Sequence, residues 1–144
     1  MQDMNAMQAT HFLRLLSRLK PLMAPTLPIS TSQQTKFILK SAYASMAYAA
    51  GPRRVWSRAL VRRIRRNRRR PTMRIINKRR HVVRPRRRPA EGGSEELRKV
   101  IPGGDTILNG ARLVEETSDY VQFLRTQVII MKALVSSFSK GQHG

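Results

Sequence analysis

Side chains that could catalyse a reaction or bind a metal ion are few and far apart in this chain of 144 residues. It has no cysteine, and none of its three histidines, His11, His81 and His143, has a carboxylate neighbour at metal-ligand spacing. Without cysteine there is no disulfide, no thiolate zinc site and no cysteine nucleophile. A phosphate-binding loop is not predicted either, because Gly103-Gly104 follows a predicted helix and not a strand. We therefore expect no enzymatic activity, no cofactor and no metal.

The chemistry that the sequence does offer is positive charge. The chain has 29 Lys and Arg against 8 Asp and Glu, a formal net charge of +21. The densest stretch, Arg53 to Arg88, has 18 Lys and Arg in 36 residues and no acid. Such a block repels itself and does not fold alone without a counter-charge. A polyanion such as nucleic acid would bind it by releasing counterions.

Three interpretations of this basic block stay open. It is a nuclear import signal, it contacts nucleic acid without sequence preference, or it is a solvated tail without function, and the first two are compatible with each other. We predict that one arginine run drives import and that the protein is nuclear. The run consists of Arg62, Arg63, Arg65, Arg66, Arg68, Arg69 and Arg70.

The pattern of apolar residues predicts an all-α protein with four segments. Residues 1–34 form an amphipathic segment with a Pro-rich linker, and residues 35–66 a basic helical element broken at Gly51-Pro52. Residues 67–93 are an Arg/Pro-rich tract expected to be disordered, and residues 94–140 are helical again. The apolar stripe Trp56, Leu60 and Ile64 either packs loosely on the rest of the chain or docks a partner. No apolar run approaches the roughly 18–20 residues of a membrane span.

The strongest pattern is a heptad repeat in the last predicted helix, which begins near Ala111 and ends near Phe138. Position a of every heptad is a valine, which suits parallel pairing of two helices. A short helix upstream cannot bury such a face, so we expect a second chain to cover it; an intramolecular hairpin is the alternative. The repeat consists of Val114, Thr117, Val121, Leu124, Val128, Met131, Val135 and Phe138.

Four segments carry a family resemblance. The segment 95–104 (EELRKVIPGG) resembles the end of helix 1 of a basic helix-loop-helix protein, and 113–128 (LVEETSDYVQFLRTQV) resembles its helix 2. The upstream segments 41–49 (SAYASMAYA) and 56–60 (WSRAL) resemble a narrower group. That group is the plant atypical helix-loop-helix repressors that bind small helix-loop-helix proteins of the increased-lamina-inclination type.

The resemblance implies a nuclear transcription regulator that dimerises as a parallel four-helix bundle. Its implied partners are other helix-loop-helix proteins, both DNA-binding activators and small antagonists that do not bind DNA, with a homodimer as a further option. It also implies repression of cell elongation in brassinosteroid and gibberellin responses. The resemblance implies a dimer interface of Leu97, Val100, Ile101, Val114, Thr117, Val121, Leu124 and Val128, and the heptad repeat extends this interface to Met131 and Val135.

The residues before Leu97 are unsuited to reading a DNA sequence. A DNA-reading member needs a basic region continuous with helix 1, but Pro85, Pro89, Gly92 and Gly93 interrupt helix here. No acid lies between Asp3 and Glu91, so a base-reading glutamate is missing. We therefore predict a dominant-negative heterodimer partner with at most nonspecific nucleic-acid contact and no membrane contact. The alternative is a basic nucleic-acid-binding protein such as an organellar ribosomal protein.

Overall fold

A computed structural model describes residues 2–18, 30–68 and 92–141, with only the backbone described at 2, 67, 68, 92 and 93. All its regular elements are helical, and this part of the chain contains no strand. The predicted all-α class is therefore confirmed. The elements are α1 (Gln2–Ser17), α2 (Thr31–Ala50), α3 (Val55–Arg68), α4 (Gly92–Val100), a 3-10 turn (Gly104–Thr106) and α5 (Gly110–Gly141).

The helix α2 begins four residues before the start that apolar spacing predicts, because a capping box precedes it. The Ser30 hydroxyl accepts from the Gln33 N–H at 3.3 Å, and the Gln33 side chain accepts from the Ser30 N–H at 3.2 Å. This reciprocal pair satisfies two donors that a helix start leaves free. The helix ends at Gly51, whose φ of 74° suits glycine, and α3 follows four residues later. The predicted break at Gly51-Pro52 is thus confirmed.

The core lies where α2, α3 and α5 meet. Trp56 is fully buried at its centre, with ring centroids 5.2 Å from Tyr120 and 5.3 Å from Phe123. Leu60 is buried one turn further along α3, and Ile64 is half-buried. Trp56 and Leu60 of the apolar stripe are therefore packed in the chain's own core, with Trp56 against Tyr120 and Phe123 of α5. Loose packing, one of the two interpretations of this stripe, is wrong.

The connection between α4 and α5 requires two glycines. Gly103 has a φ of 76°, and a Cβ on it would lie 2.9 Å from the Ala59 Cβ on α3. A Cβ on Gly104 would lie 2.5 Å from the Arg98 carbonyl oxygen. The Pro-Gly-Gly sequence thus ends α4 as predicted and lets the loop approach α3 closely. The loop also buries Ile101 and Ile107 in the core.

The helix α1 packs on α2 and completes the fold. Phe12 on α1 is buried, and the rings of His11 and Tyr48 lie 3.7 Å apart, which holds α1 against α2. The predicted Pro-rich linker falls within residues 1–34, of which residues 19–29 lie outside the described residues. In the described ranges no helix is long and apolar enough to cross a bilayer.

Candidate functional site

The helix α5 has a buried face and an exposed face, and the difference between them defines the candidate site. The buried face repeats at intervals of three and four residues and packs against α1, α2 and α3. Two of its five members, Glu116 and Gln127, are polar. The face consists of Leu113, Glu116, Tyr120, Phe123 and Gln127.

Glu116 joins α5 to the start of α3. Its carboxylate oxygen Oε2 accepts from the Val55 N–H at 2.8 Å and from the Trp56 N–H at 3.4 Å. Helix starts leave such N–H groups without partners, and the helix dipole favours a negative charge there. A carboxylate buried to 2% exposure is therefore stabilised by the helix that it caps.

Two further acids of α5 hold the same region. Asp119 Oδ2 accepts from the Trp56 indole N–H at 3.0 Å and pairs with Arg54 Nε at 3.2 Å. Glu115 Oε1 pairs with Arg54 Nη1 at 2.7 Å. The hydrogen bond that Arg54 donates to Glu115 raises the pKa of Arg54, with the charges of Asp119 and Glu115 acting in the same direction. The basic element and the last helix therefore form one packed unit, with α5 in a fixed orientation.

A small polar cluster lies under α1. The Gln8 side chain donates from Nε2 to the Gln127 Oε1 at 2.9 Å and to the Phe123 carbonyl at 3.1 Å. The Ser45 hydroxyl donates to the same Gln127 oxygen at 3.1 Å. Gln8 Oε1 and Gln127 Nε2 are buried without a hydrogen-bond partner. The cluster fixes the register of α1 on α5 at the cost of two unsatisfied polar atoms.

The heptad positions lie on the other face of α5. The valines are exposed: Val114 by 60%, Val121 by 45%, Val128 by 49% and Val135 by 66%. Thr117, Leu124 and Met131 are half-buried, and Leu124 also packs against the core. We call the row Val114, Thr117, Val121, Leu124, Val128, Met131 and Val135 the valine seam. Phe138 continues it and is 74% exposed. The structure thus leaves an apolar heptad open along the helix.

The three predicted interface residues around α4 are divided between interior and surface. Ile101 is buried in the chain's own core, whereas Leu97 is 36% and Val100 72% exposed. Leu108, in the loop after α4, is 84% exposed and Val114 follows at the start of α5. An exposed apolar surface is therefore available on α4 and its loop as well as on α5.

The predicted import residues lie on α3 as far as the structure describes them. Arg62, Arg63, Arg65 and Arg66 are exposed. Only the backbone of Arg68 is described, and Arg69, Arg70 and the tract 69–91 lie outside the described residues. The breakers Pro85 and Pro89 therefore lie outside them too, while α4 begins at Gly92 itself. Gly92 and Gly93 are thus the first residues of α4, and the expectation that these two glycines interrupt helix is wrong.

Sequence reasoning did not identify Gln8, Glu116 or Gln127. Their only signal is periodicity: Leu113, Tyr120 and Phe123 form a second apolar row beside the heptad, and Glu116 and Gln127 fall in that row. The described ranges contain no group of three or more His, Asp or Glu able to hold a metal ion. The arrangement offers a long apolar contact surface on α5, whose buried face is fixed by packing against α1, α2 and α3.

Comparison with known proteins identifies the family. The chain is 36% identical over 165 aligned residues to "Transcription factor IBH1" of Oryza sativa subsp. japonica, which covers 92% of this chain and 78% of that protein. The protein of the same name from subsp. indica is 35% identical over the same extent. "Transcription factor IBH1-like 1" of Arabidopsis thaliana is 41% identical over 44 residues, 31% of this chain. No family model and no solved structure matches. The chain therefore belongs to the IBH1 family of transcription factors.

Proposed function

We propose that this chain is a nuclear transcription regulator that represses by pairing with DNA-binding helix-loop-helix activators. The observation that carries the proposal is the valine seam, whose four valines stay exposed although the neighbouring face of the same helix is buried. Full burial of a valine contributes roughly 1.5–3 kcal/mol before entropy. Four valines facing a partner helix would therefore supply a substantial driving force for association.

The position of α3 supports docking of a partner on the valine seam. Glu116, Asp119 and Trp56 hold α3 against the back of α5. The seam is thus presented without a rearrangement of the core, and pre-organised surfaces lose less entropy on binding. Leu97 and Val100 on α4 extend the interface, while Ile101 supports it from the chain's own core.

The proposed mechanism is removal of one DNA-reading subunit. Specific binding by this fold uses two half-sites, one from each subunit of the dimer. A heterodimer with this chain keeps one competent basic region, because Pro85 and Pro89 in the sequence before α4 disfavour a continuous basic helix and no acid lies between Asp3 and Glu91 to serve as a base-reading glutamate. Half of the base contacts are then lost, and specific affinity falls towards the nonspecific level. The many arginines keep at most nonspecific contact with phosphates.

The biological setting that we propose is negative regulation of cell elongation in brassinosteroid and gibberellin responses. Small helix-loop-helix proteins that do not bind DNA would relieve repression by occupying the valine seam. A homodimer through the same seam is a further option. Membership of a transcription-factor family favours this reading over an organellar ribosomal protein.

The experiment is a pull-down of a DNA-binding helix-loop-helix protein by the full chain and two matched variants. Val128→Glu places a charge in the valine seam, whereas Ile129→Glu places it at the neighbouring exposed position, which is 67% exposed and outside the seam. An unpaired charge buried at an interface is strongly unfavourable. We expect Val128→Glu to lose the partner and Ile129→Glu to retain it. Equal retention by both variants would contradict the proposal.

A further inference from the structure

A second surface, separate from the valine seam, lies on the outer side of α2. It is a groove of about 560 Å³ with α2 as its floor and the C-terminal parts of α1 and α3 as its walls. This volume lies in the range of known ligand-binding pockets, roughly 300–1,000 Å³. We call it the α2 groove, and its apolar lining comes from Leu15, Phe37, Ala44, Val61 and Ile64.

The helix packing described above keeps the α2 groove open. Phe12 and the His11–Tyr48 ring contact fix α1 on one side of α2. On the other side, the buried Ser57 hydroxyl donates to the Ala47 carbonyl at 2.8 Å and fixes α3. Phe37, Ala44 and Tyr48 lie on the floor, and Phe37 and Tyr48 are 11 positions apart, or about 16 Å of helix at 1.5 Å per residue. The groove is therefore long enough for about three turns of a second helix.

The rim of the α2 groove is positively charged. Arg18, just after α1, Lys40 on α2 and Arg65 on α3 line it, and none of the described residues that line it is acidic. The ion pairs found among the described residues all belong to Arg54, so none neutralises these three cations. Apolar residues framed by unpaired cations complement a partner that is apolar in the middle and anionic at its edges.

We infer that the α2 groove binds an acidic amphipathic helix of a partner protein, with leucine or phenylalanine on its buried face and carboxylates beside them. Helix-in-groove recognition uses anchors at i, i+3, i+4 and i+7, which match a floor of this length. Nucleic acid is the less suitable ligand, because phosphates need the cations but have no use for five apolar side chains. The inference does not depend on the proposed role of the valine seam, which lies on a different helix.

The test measures fluorescence anisotropy of a labelled synthetic peptide against the full chain. The peptide has about 11 residues, three helical turns, with leucines at the anchor spacing and glutamates elsewhere. We expect saturable binding that weakens as salt is added, since the rim charges are exposed to solvent. A scrambled peptide of the same composition keeps the charge but not the apolar face, and we expect it to bind roughly tenfold more weakly or worse.

Two pairs of matched variants separate the groove from simple charge attraction. Ala44→Lys adds a cation to the floor, whereas Leu39→Lys adds one to an exposed position of α2 outside the groove. Arg65→Glu reverses a rim charge, whereas Arg66→Glu reverses its exposed neighbour. We expect Ala44→Lys and Arg65→Glu to weaken peptide binding by about tenfold or more, and the controls to change it by less than about twofold.

Several outcomes would overturn the inference. Charge attraction alone would explain peptide binding in any of three cases. Ala44→Lys binds the peptide as tightly as the parent or more tightly, the scrambled peptide binds as well as the designed one, or Arg65→Glu and Arg66→Glu have equal effects. Duplex DNA could also displace the peptide, with Ala44→Lys and Leu39→Lys weakening peptide binding equally. That result would assign the surface to nucleic acid. No binding by the folded parent chain, with helicity verified by circular dichroism, would mean that the groove is closed or already filled.

Discussion

The carboxylate of Glu116 on α5 accepts a hydrogen bond from the backbone N–H of Val55, the first residue of α3, at 2.8 Å. One side chain thus caps the basic helix and holds the inner face of α5 towards the core. The heptad on the outer face is exposed because the inner face is held in this way. Glu116 and Asp119 of α5 therefore stabilise the packing of α3 on α5, and the valines of the seam remain exposed to a partner.

Removal of this cap should destabilise the chain. Glu116→Ala leaves the Val55 and Trp56 N–H groups without their acceptor in a buried place, which costs about 1–3 kcal/mol of unfolding free energy. Urea unfolding followed by circular dichroism measures the loss. Glu115→Ala is the matched control, because that side chain is 65% exposed and its ion pair contributes little. Equal losses in both variants would contradict the capping role.

The polar cluster under α1 should behave as a unit. Gln8→Leu or Gln127→Leu alone leaves the remaining glutamine with fewer partners than it has now, and we expect each to lower the thermal unfolding temperature. The double variant removes both buried unpartnered atoms, Gln8 Oε1 and Gln127 Nε2. Because replacing both partners by apolar groups is close to neutral or stabilising, we expect it to be more stable than either single variant. Strictly additive losses would refute this coupling.

Tyr120 should make the chain sensitive to alkaline pH. Burial, and secondly the neighbouring Tyr43, raises the pKa of Tyr120, while Arg63 lowers it. The raised value means that the unfolded chain ionises first, so the stability that depends on neutral Tyr120 is complete below about pH 10 and is lost as the pH rises through the folded pKa.

Tyr120→Phe should therefore lose less stability than the parent chain between neutral pH and the alkaline range. Urea unfolding at both pH values measures the difference, and Tyr48→Phe, at a position 64% exposed, is the control. If the parent and Tyr120→Phe lost stability equally above about pH 10, the burial of the phenol would not govern the response.

Nuclear import should depend on the basic face of α3 and the residues that follow it. Replacing Arg65, Arg66, Arg68, Arg69 and Arg70 by glutamine should move the protein, fused to a tag too large for passive diffusion, to the cytoplasm. The same positions replaced by lysine keep the charge and should keep nuclear accumulation. Microscopy of the two tagged variants gives the answer. Nuclear accumulation of the glutamine variant would place the signal elsewhere, for instance at Lys78 to Arg88.

The sequence predicts the helices well where local signals exist. Gly51-Pro52 and Pro102-Gly103-Gly104 end helices for backbone reasons that hold in any fold. The partners of α5 were not predictable in this way. The heptad indicates only the face of α5 that a second chain would cover. It does not indicate that the adjacent face, with Tyr120 and Phe123, packs against Trp56 of the same chain.

The buried polar residues of α5 are the part of the core that the sequence does not predict. Glu116 and Gln127 read as solvent-facing residues in a sequence, since a buried carboxylate requires a partner from elsewhere in the fold. That partner, the Val55 N–H, lies 61 residues away, and Gln8 lies 119 residues from Gln127. Only the assembled structure brings such groups together.

Displacement of a DNA-bound helix-loop-helix activator from its E-box tests the central claim most directly. The gel shift is run near physiological salt with specific and scrambled duplexes, because phosphate contacts alone are strongly salt-dependent. We predict that the parent chain and Ile129→Glu remove the activator from the specific duplex, that Val128→Glu does not, and that the parent alone shows no preference between duplexes. Displacement by Val128→Glu as efficient as by the parent, or selection of the E-box by the parent alone, would contradict repression through the valine seam.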